Sequence, residues 1–293
     1  MSESTAAIRN KVRSALIESH NKPVDVRQAL MDTLSWIPKD DQVTVFMSGG
    51  IDSHACLFAC IDLGLKVNVL SFTLDTHEST DFKAARHAAE TFGLEFIPIV
   101  LPTNEEHLKS WVRFAVHKLG LSNKSEIECS WPLYTAIRHL GHQEKTKHIV
   151  LGLGGDSYFL MAKSASMHCK DMVLEQRRKA TRRVLSQNSL VKREAHARGI
   201  YAHLPYFEFG RIYAELQMET DFKKINSPQK SFYNQAFPEY RKRCKVRGHQ
   251  NFQLGDTNIS GIFSDVLLKS DWNTRNSKAI IAVYNDVAAG ICK

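Results

Sequence analysis

The chain has 293 residues, 43% of them hydrophobic and 24% charged, which is the composition of a globular protein with a large core. Its formal net charge of +8 favours an acidic ligand such as a nucleotide, pyrophosphate or RNA. Because the six cysteines form no C-x-x-C pair and no apolar stretch suits a signal peptide or membrane helix, we expect a protein of the reducing cytoplasm without a disulfide framework, zinc ribbon or membrane anchor.

The first half of the chain alternates predicted strands and helices. Two short helices are predicted within residues 4–36. Strands follow at 43–47, 67–72, 95–101 and 148–151, and the helices between them are predicted at 54–63, 81–92, 104–119 and 131–141. This β-α-β order is typical of an α/β protein with a doubly wound parallel sheet.

Changes in composition predict three parts of the chain. They are an N-terminal helical segment at 1–40, an α/β core at 41–162, and a mostly helical, basic C-terminal part at 163–293. Arginine and lysine are concentrated at 176–198. A solvated helix face explains this basic run, because aromatic side chains for base stacking do not interleave with it. A nucleic-acid groove is the alternative.

The motif Ser-Gly-Gly-Ile-Asp-Ser, residues 48–53, joins the first strand to the helix after it. A strand that turns sharply into a helix leaves backbone N–H groups facing an anion, and the helix dipole adds to their attraction. No lysine follows the glycines, so the loop is not a Walker A motif. A carboxylate repels a phosphate unless a divalent cation lies between them, so we interpret Asp52 as a Mg²⁺ ligand. Helix capping is the simpler alternative.

This motif resembles the pyrophosphatase loop of the PP-loop ATP pyrophosphatase superfamily, which has the adenine nucleotide alpha hydrolase-like fold. Members of that superfamily adenylate a carboxylate, carbonyl or amide oxygen and release pyrophosphate. The resemblance implies that the β and γ phosphates of ATP are held by Ser48, Gly49, Gly50, Asp52 and Ser53. It also implies that adenine binds at the second strand, near Leu70, Ser71 and Phe72.

A second glycine-rich turn follows the strand at 148–151 and contains Gly152, Gly154, Gly155 and Asp156. Both loops leave the carboxyl ends of predicted parallel strands, so both are expected to face one crevice. There Asp52 and Asp156 would share one Mg²⁺–pyrophosphate cluster. A tight turn with a capping aspartate is the alternative for the second loop alone.

Further motifs resemble the synthetase domain of asparagine synthetase and of the related β-lactam synthetase. They agree with that family over about residues 43–255, and their shared order is more specific than any single match. These stretches are "STDFKAARHAAETFG", "CSWPLY", "GLGGDS", "ARGIYAHLPYFEF", "SPQKSFYNQAFPEY" and "VRGHQNF". The resemblance implies that Lys230 stabilises the charge that develops during the reaction, and that Arg247 can do the same for phosphate.

Departures from the family's pattern lie on the acceptor side. Leu153 and Tyr201 stand where the family has glutamates, His203 where it has an arginine, and His249 where it has a lysine. We interpret this as intact ATP handling with a rebuilt acceptor pocket. Tyr201, His203 and His249 are the candidate bases for the incoming amine, since histidine titrates near neutral pH.

The resemblance implies an AMP-forming ligase that uses ATP and Mg²⁺ to join a small-molecule carboxylate to ammonia or an amine. About forty residues precede the first strand, too few for the family's glutaminase domain. Ammonia would then come from solution or from a separate glutaminase, and a homo-oligomer is compatible with the pattern. We expect an acceptor larger or less polar than aspartate.

Two other functions stay open. One is a PP-loop enzyme that adenylates a base of tRNA, with 176–198 as its RNA groove. The other is a catalytically inactive nucleotide-binding partner protein, which the loss of both family glutamates would permit.

Overall fold

The computed structural model describes residues 26–143, 145–155, 187–208, 236–244, 246 and 256–292. Within them one sheet contains five strands: β1 (Gln42–Phe46), β2 (Lys66–Leu74), β3 (Glu95–Leu101), β4 (His148–Leu151) and β5 (Tyr201–His203). The first four confirm the predicted strands. β5 is an addition to them, because three residues are too few to show a recognisable alternation of apolar and polar side chains.

The sheet is parallel throughout, with the strand order β3-β2-β1-β4-β5. Strands β1 to β3 are added in one direction, and the chain then crosses back to place β4 on the other side of β1. This reversal is the switch point of a doubly wound sheet, and it confirms the predicted fold class. Phe46 and Leu151, the last residues of β1 and β4, lie opposite each other, so the loops after both strands start at the same level.

Helices cover both faces of the sheet. Apolar side chains of α1 to α3 pack on one face, and those of α4, α5, α9 and α10 pack on the other. None of the helices in the described ranges is long and apolar enough to cross a membrane. Their bounds are α1 (Val26–Leu34), α2 (Ile51–Asp62), α3 (Thr80–Phe92), α4 (Glu105–His117), α5 (Lys124–Gln143), α6 (187–196), α7 (Pro205–Glu208), α8 (Pro238–Arg243), α9 (Ile259–Leu267) and α10 (Ile280–Ala288).

Helix α5 starts earlier than predicted. The prediction starts at 131, whereas the observed helix starts at Lys124 and contains Pro132 in its interior. Proline cannot donate the backbone hydrogen bond to the carbonyl oxygen four residues earlier, so the packing around it has to offset this loss. Most side chains around Pro132 are buried, and Trp111 Nε1 donates a hydrogen bond to the carbonyl oxygen of Ile127 at 2.9 Å.

The three-part division of the chain stays a prediction. Helix α1 lies within the segment 1–40, yet its apolar residues belong to the same cluster as those of β1 and α2. Helices α9 and α10 lie within 163–293, yet they share a cluster with α4 and α5. In the described ranges, apolar packing therefore crosses both proposed boundaries.

Burial of cysteine thiols predicts a loss of stability at alkaline pH. Burial raises the pKa of the Cys60 thiol from 9.0 to about 12. Between these values the unfolded chain ionises this thiol and the folded chain does not, so the free energy of unfolding falls as pH rises. The free energy of unfolding of the wild type should fall between pH 8 and pH 10.5. In Cys60→Ala, we expect this fall to be smaller by about 2 kcal/mol.

Urea denaturation at the two pH values under reducing conditions measures this difference. Val69→Ala is the control, since it removes methyl groups from the same apolar cluster without removing a titratable group. It should be less stable at both pH values but show the full pH-dependent loss. An equal loss in Cys60→Ala and wild type would contradict the prediction.

Candidate functional site

The first candidate loop, residues 48–50, turns β1 into α2 at the carboxyl edge of the sheet. Gly49 has a φ of +69°, and a Cβ there would lie 3.1 Å from both Asp81 Cα and Ala84 Cβ. Backbone conformation and the close approach of α3 therefore both require glycine at this position. Gly50 has a φ of −82°, and a Cβ there would make an ordinary contact with Ser48 Oγ at 3.5 Å.

Hydrogen bonds within the loop stabilise its shape. Ser53 Oγ donates to the Gly50 carbonyl oxygen at 3.0 Å, accepts from Ser48 N at 3.2 Å, and lies 3.3 Å from Ser48 Oγ. Because Ser53 is buried and makes these bonds, its hydroxyl supports the loop itself. The first N–H groups of α2 have no carbonyl group four residues earlier in the helix to bond. They point out of the helix towards the carboxyl edge of the sheet.

The second loop, residues 152–155, packs directly against the first. A Cβ at Gly152 would lie 2.8 Å from Ser53 N, and a Cβ at Gly155 would lie 2.8 Å from Asp52 Cγ. Both positions therefore need glycine for the loops to approach this closely. The carboxylate of Asp52 lies against the backbone of the second loop, in the first turn of α2.

Two aromatic residues of α7 support the loops. The hydroxyl of Tyr206, a buried residue, donates to the Asp52 carbonyl oxygen at 2.9 Å. The Phe207 ring leaves no room for a side chain at Gly154, where a Cβ would lie 2.8 Å from Cε2 of that ring and where φ is +95°. Neither aromatic has a site role among the predictions from sequence. Their position just after β5, at the same edge as the loops, is the signal for their supporting role.

His54 directly follows the motif and lies behind the first loop. Its side chain is buried, with Nδ1 2.9 Å from the Gly50 carbonyl oxygen and Nε2 3.8 Å from Cys244 Sγ. Burial lowers the pKa of His54 to about 4, so the ring is neutral at pH 7. The motif alone does not indicate this contact, although a spacing of four residues from Gly50 permits it in a helix.

The side chains of the three residues expected near adenine differ in how far they can face a ligand. Leu70 is 2% exposed and packs in the apolar core, so its side chain faces the protein interior, and its place near adenine stays a prediction. The Ser71 hydroxyl donates to the Met47 carbonyl oxygen at 2.8 Å. Phe72 is half-buried against the same core cluster as Leu70. The backbone of β2 and the partly exposed ring of Phe72 are the parts of this strand that can face a nucleotide.

Tyr201 and His203, two of the candidate bases, both contact His148 of β4, and their role as bases stays a prediction. Tyr201 pairs with His148, the first residue of β4, and stacks on its ring at 5.4 Å. The buried His203 places Nε2 3.0 Å from His148 Nδ1, while His148 Nε2 lies 3.0 Å from Asp41 Oδ2. The Trp36 ring packs on His203 with its centroid at 4.6 Å. His148 and His203 are buried and bond each other towards the amino end of the sheet, whereas Tyr201 is 60% exposed.

Several sequence-predicted site residues lie outside the described residues, and their roles stay predictions. They are Asp156, Lys230, Arg247 and His249. Leu153 is described, and it is partly buried against the core cluster of α4 and α5.

The basic run at 176–198 is described only from residue 187 onwards. In that portion Arg193 and Arg198 form ion pairs with Glu194 at 3.3 and 3.0 Å. Part of its positive charge is therefore compensated within the run itself.

The groups at the loop edge fit a phosphate accompanied by a divalent cation. Helix-end N–H groups suit the phosphate, and Asp52 supplies an oxygen ligand of the kind that Mg²⁺ prefers. The described residues contain no group of three or more His, Cys, Asp or Glu side chains that could hold a metal by themselves. A nucleotide-bound Mg²⁺ needs only one or two protein carboxylates, because phosphates and water complete its coordination.

A family model described as asparagine synthase matches residues 25–248. The chain belongs to the asparagine synthase family. The matched region includes both loops and continues through β5 and α7 to α8. The asparagine synthase family uses ATP, and its domain is that of an AMP-forming ligase.

Two solved structures are similar to this asparagine synthase family member. U34-tRNA thiolase NcsA from Methanococcus maripaludis, with its 4Fe-4S cluster, has 10% identity and a TM-score of 0.40 over 95% of this chain and 78% of that one. NMN synthetase from Francisella tularensis has 14% identity and a TM-score of 0.33 over 83% of this chain and 99% of that one. No curated protein sequence matches the chain. Family membership therefore rests on the family model.

The two adjacent glycines of the first loop should respond differently to alanine. Gly49→Ala places a side chain at positive φ and against Asp81, so we expect the free energy of unfolding to fall by about 1–3 kcal/mol. Gly50→Ala keeps an ordinary φ and should change this free energy by less than about 1 kcal/mol. Urea denaturation of both variants tests the loop conformation without a ligand, and equal destabilisation would show that it is wrong.

Proposed function

We propose that the protein is an AMP-forming carbon–nitrogen ligase that adenylates a carboxylate and couples it to ammonia or an amine. The observation that carries this proposal is the contact between the two loops, where Asp52 lies against Gly155 in the first turn of α2. A carboxylate beside helix-end N–H groups suits a pyrophosphate that arrives with Mg²⁺. Membership in the asparagine synthase family supports ATP as the source of that pyrophosphate.

In the proposed reaction, a carboxylate oxygen of the acceptor attacks the α-phosphorus of ATP and pyrophosphate leaves. The amine then attacks the acyl carbon and displaces AMP. Backbone N–H groups of both loops hold the β and γ phosphates and offset the charge that develops on the leaving pyrophosphate. Asp52 and, from the resemblance, Asp156 would hold Mg²⁺, which supplies charge neutralisation. In this proposal Lys230 and Arg247 add positive charge near the phosphates, and these two roles rest only on the family resemblance.

The acceptor in this proposal is a carboxylate larger or less polar than aspartate. Leu153 stands in the second loop at a position where the family has a glutamate, and a complementary apolar group that covers it contributes about 1.5–3 kcal/mol. Tyr201, His203 and His249 stay the candidate bases, and among them the ring of His203 is buried and bonded to His148. The nitrogen is free ammonia, a substrate amine, or ammonia from a separate glutaminase.

Replacing the proposed metal ligand should stop nucleotide chemistry. We expect Asp52→Asn to slow ATP–pyrophosphate exchange by about a hundredfold or more, because the neutral amide cannot offset the charge of Mg²⁺. The fold should persist, since Tyr206 bonds the backbone of Asp52 rather than its side chain. Asp40→Asn, at an exposed residue paired with Lys66, is the control and should exchange normally. Normal exchange in Asp52→Asn at saturating Mg²⁺ would refute the metal assignment.

A panel of acids tests the acceptor. Purified protein with Mg-ATP and ammonia should release AMP and pyrophosphate with apolar carboxylic acids, while aspartate should yield little asparagine. Product analysis by mass spectrometry checks both statements, and efficient asparagine formation would contradict the altered specificity. Turnover that requires RNA would identify the base-adenylating alternative. Nucleotide binding without exchange under every condition would identify the inactive partner protein.

A further inference from the structure

We propose that His54 is a positioning residue that holds the peptide between Gly50 and Ile51 in the orientation needed to bind the ATP phosphates. The inference rests on the proposed function, because it concerns the same loop. It adds a residue that lies outside the motif and contacts the loop through the Gly50 carbonyl oxygen.

The Gly50 carbonyl oxygen accepts three hydrogen bonds. Ser53 Oγ donates at 3.0 Å, the backbone N–H of His54 at 3.2 Å, and the ring of His54 through Nδ1 at 2.9 Å. Because a carbonyl oxygen can only accept, Nδ1 must carry the hydrogen. Two of the three bonds to this oxygen therefore come from His54.

Fixing this oxygen also fixes the N–H group on the other side of the same peptide. In a planar trans peptide the C=O and N–H bonds point in opposite directions. With the Gly50 oxygen held inside the first turn of α2, the N–H of Ile51 points out of the helix towards the carboxyl edge. Glycine at 49 and 50 makes the backbone before this peptide freer to rotate, so a side-chain bond restricts a motion that the sequence otherwise permits.

The His54 ring is itself held in place. It is buried, its centroid lies 5.7 Å from that of Phe58, and Cys244 Sγ lies 3.8 Å from its Nε2. Cys244 follows α8, so the C-terminal part of the chain contacts the ring on the side opposite the loop. The ring consequently has one orientation in which Nδ1 meets Gly50.

Three variants separate the hydrogen bond from the shape of the pocket. His54→Phe keeps a ring of similar size but loses the donor, whereas His54→Asn loses volume but keeps an N–H near the position of Nδ1. Cys244→Ala disturbs the same pocket and leaves the bond to Gly50 intact. Isothermal titration calorimetry with Mg-ATP and with AMP measures the binding, and circular dichroism checks that each variant is folded.

We expect His54→Phe to bind Mg-ATP about tenfold more weakly, a loss of about 1.4 kcal/mol, with AMP affinity within about twofold of wild type. AMP lacks the phosphates that this loop is proposed to hold, so general damage to the pocket would weaken both ligands alike. His54→Asn and Cys244→Ala should bind Mg-ATP within about threefold of wild type.

The outcomes distinguish this inference from the function on which it rests. Wild-type affinity for Mg-ATP in His54→Phe, equal weakening of Mg-ATP and AMP, or failure of His54→Asn to restore binding would overturn the positioning role while leaving the ligase proposal intact. If the wild-type protein binds no Mg-ATP and shows no pyrophosphate exchange, both proposals are wrong.

Discussion

The contact between the Asp52 carboxylate and the backbone of Gly155 is the constraint on which the candidate site depends. It exists because β1 and β4 are adjacent parallel strands that end at the same level, so their loops leave the sheet side by side. Any side chain at Gly152 or Gly155 would enter this contact at 2.8 Å. Close backbone packing therefore brings a negative charge and the positive end of α2 to one place, which suits a metal–phosphate ligand better than either charge alone.

The C-terminal part of the chain supports this contact from behind. Tyr206 bonds the backbone of Asp52, and Cys244 contacts the ring of His54. On the other side of the loop, Asp256 accepts hydrogen bonds from Thr80, at the start of the helix that packs against Gly49. Residues distant in sequence thus restrain each side of the first loop. Preorganisation of this kind keeps backbone donors aimed at a developing charge without reorganisation during the reaction.

On the proposed acceptor side, one of the altered residues takes part in a buried hydrogen-bonded chain. The hydrogen-bonded chain from Asp41 through His148 to His203 joins the segment before β1 to β4 and β5, and it includes His203, which the family resemblance places near an acceptor. Buried imidazoles that bond each other serve the packing of the sheet edge, because an unsatisfied ring nitrogen there would be costly. The altered residue at 203 therefore indicates structural change as much as changed chemistry.

The sequence by itself determined the four longer strands, the parallel α/β class and the two glycine-rich loops, because strand periodicity and the Ser-Gly-Gly-Ile-Asp-Ser motif are local properties of a continuous segment. It misplaced the start of α5, since Pro132 is compatible with a helix interior only when tertiary packing compensates. Only the tertiary structure decided that Leu70 is core, that His203 pairs with His148, and that His54 supports Gly50. The first two depend on which side of a strand faces a partner distant in sequence, and the third depends on the shape of the loop. A local sequence pattern encodes neither.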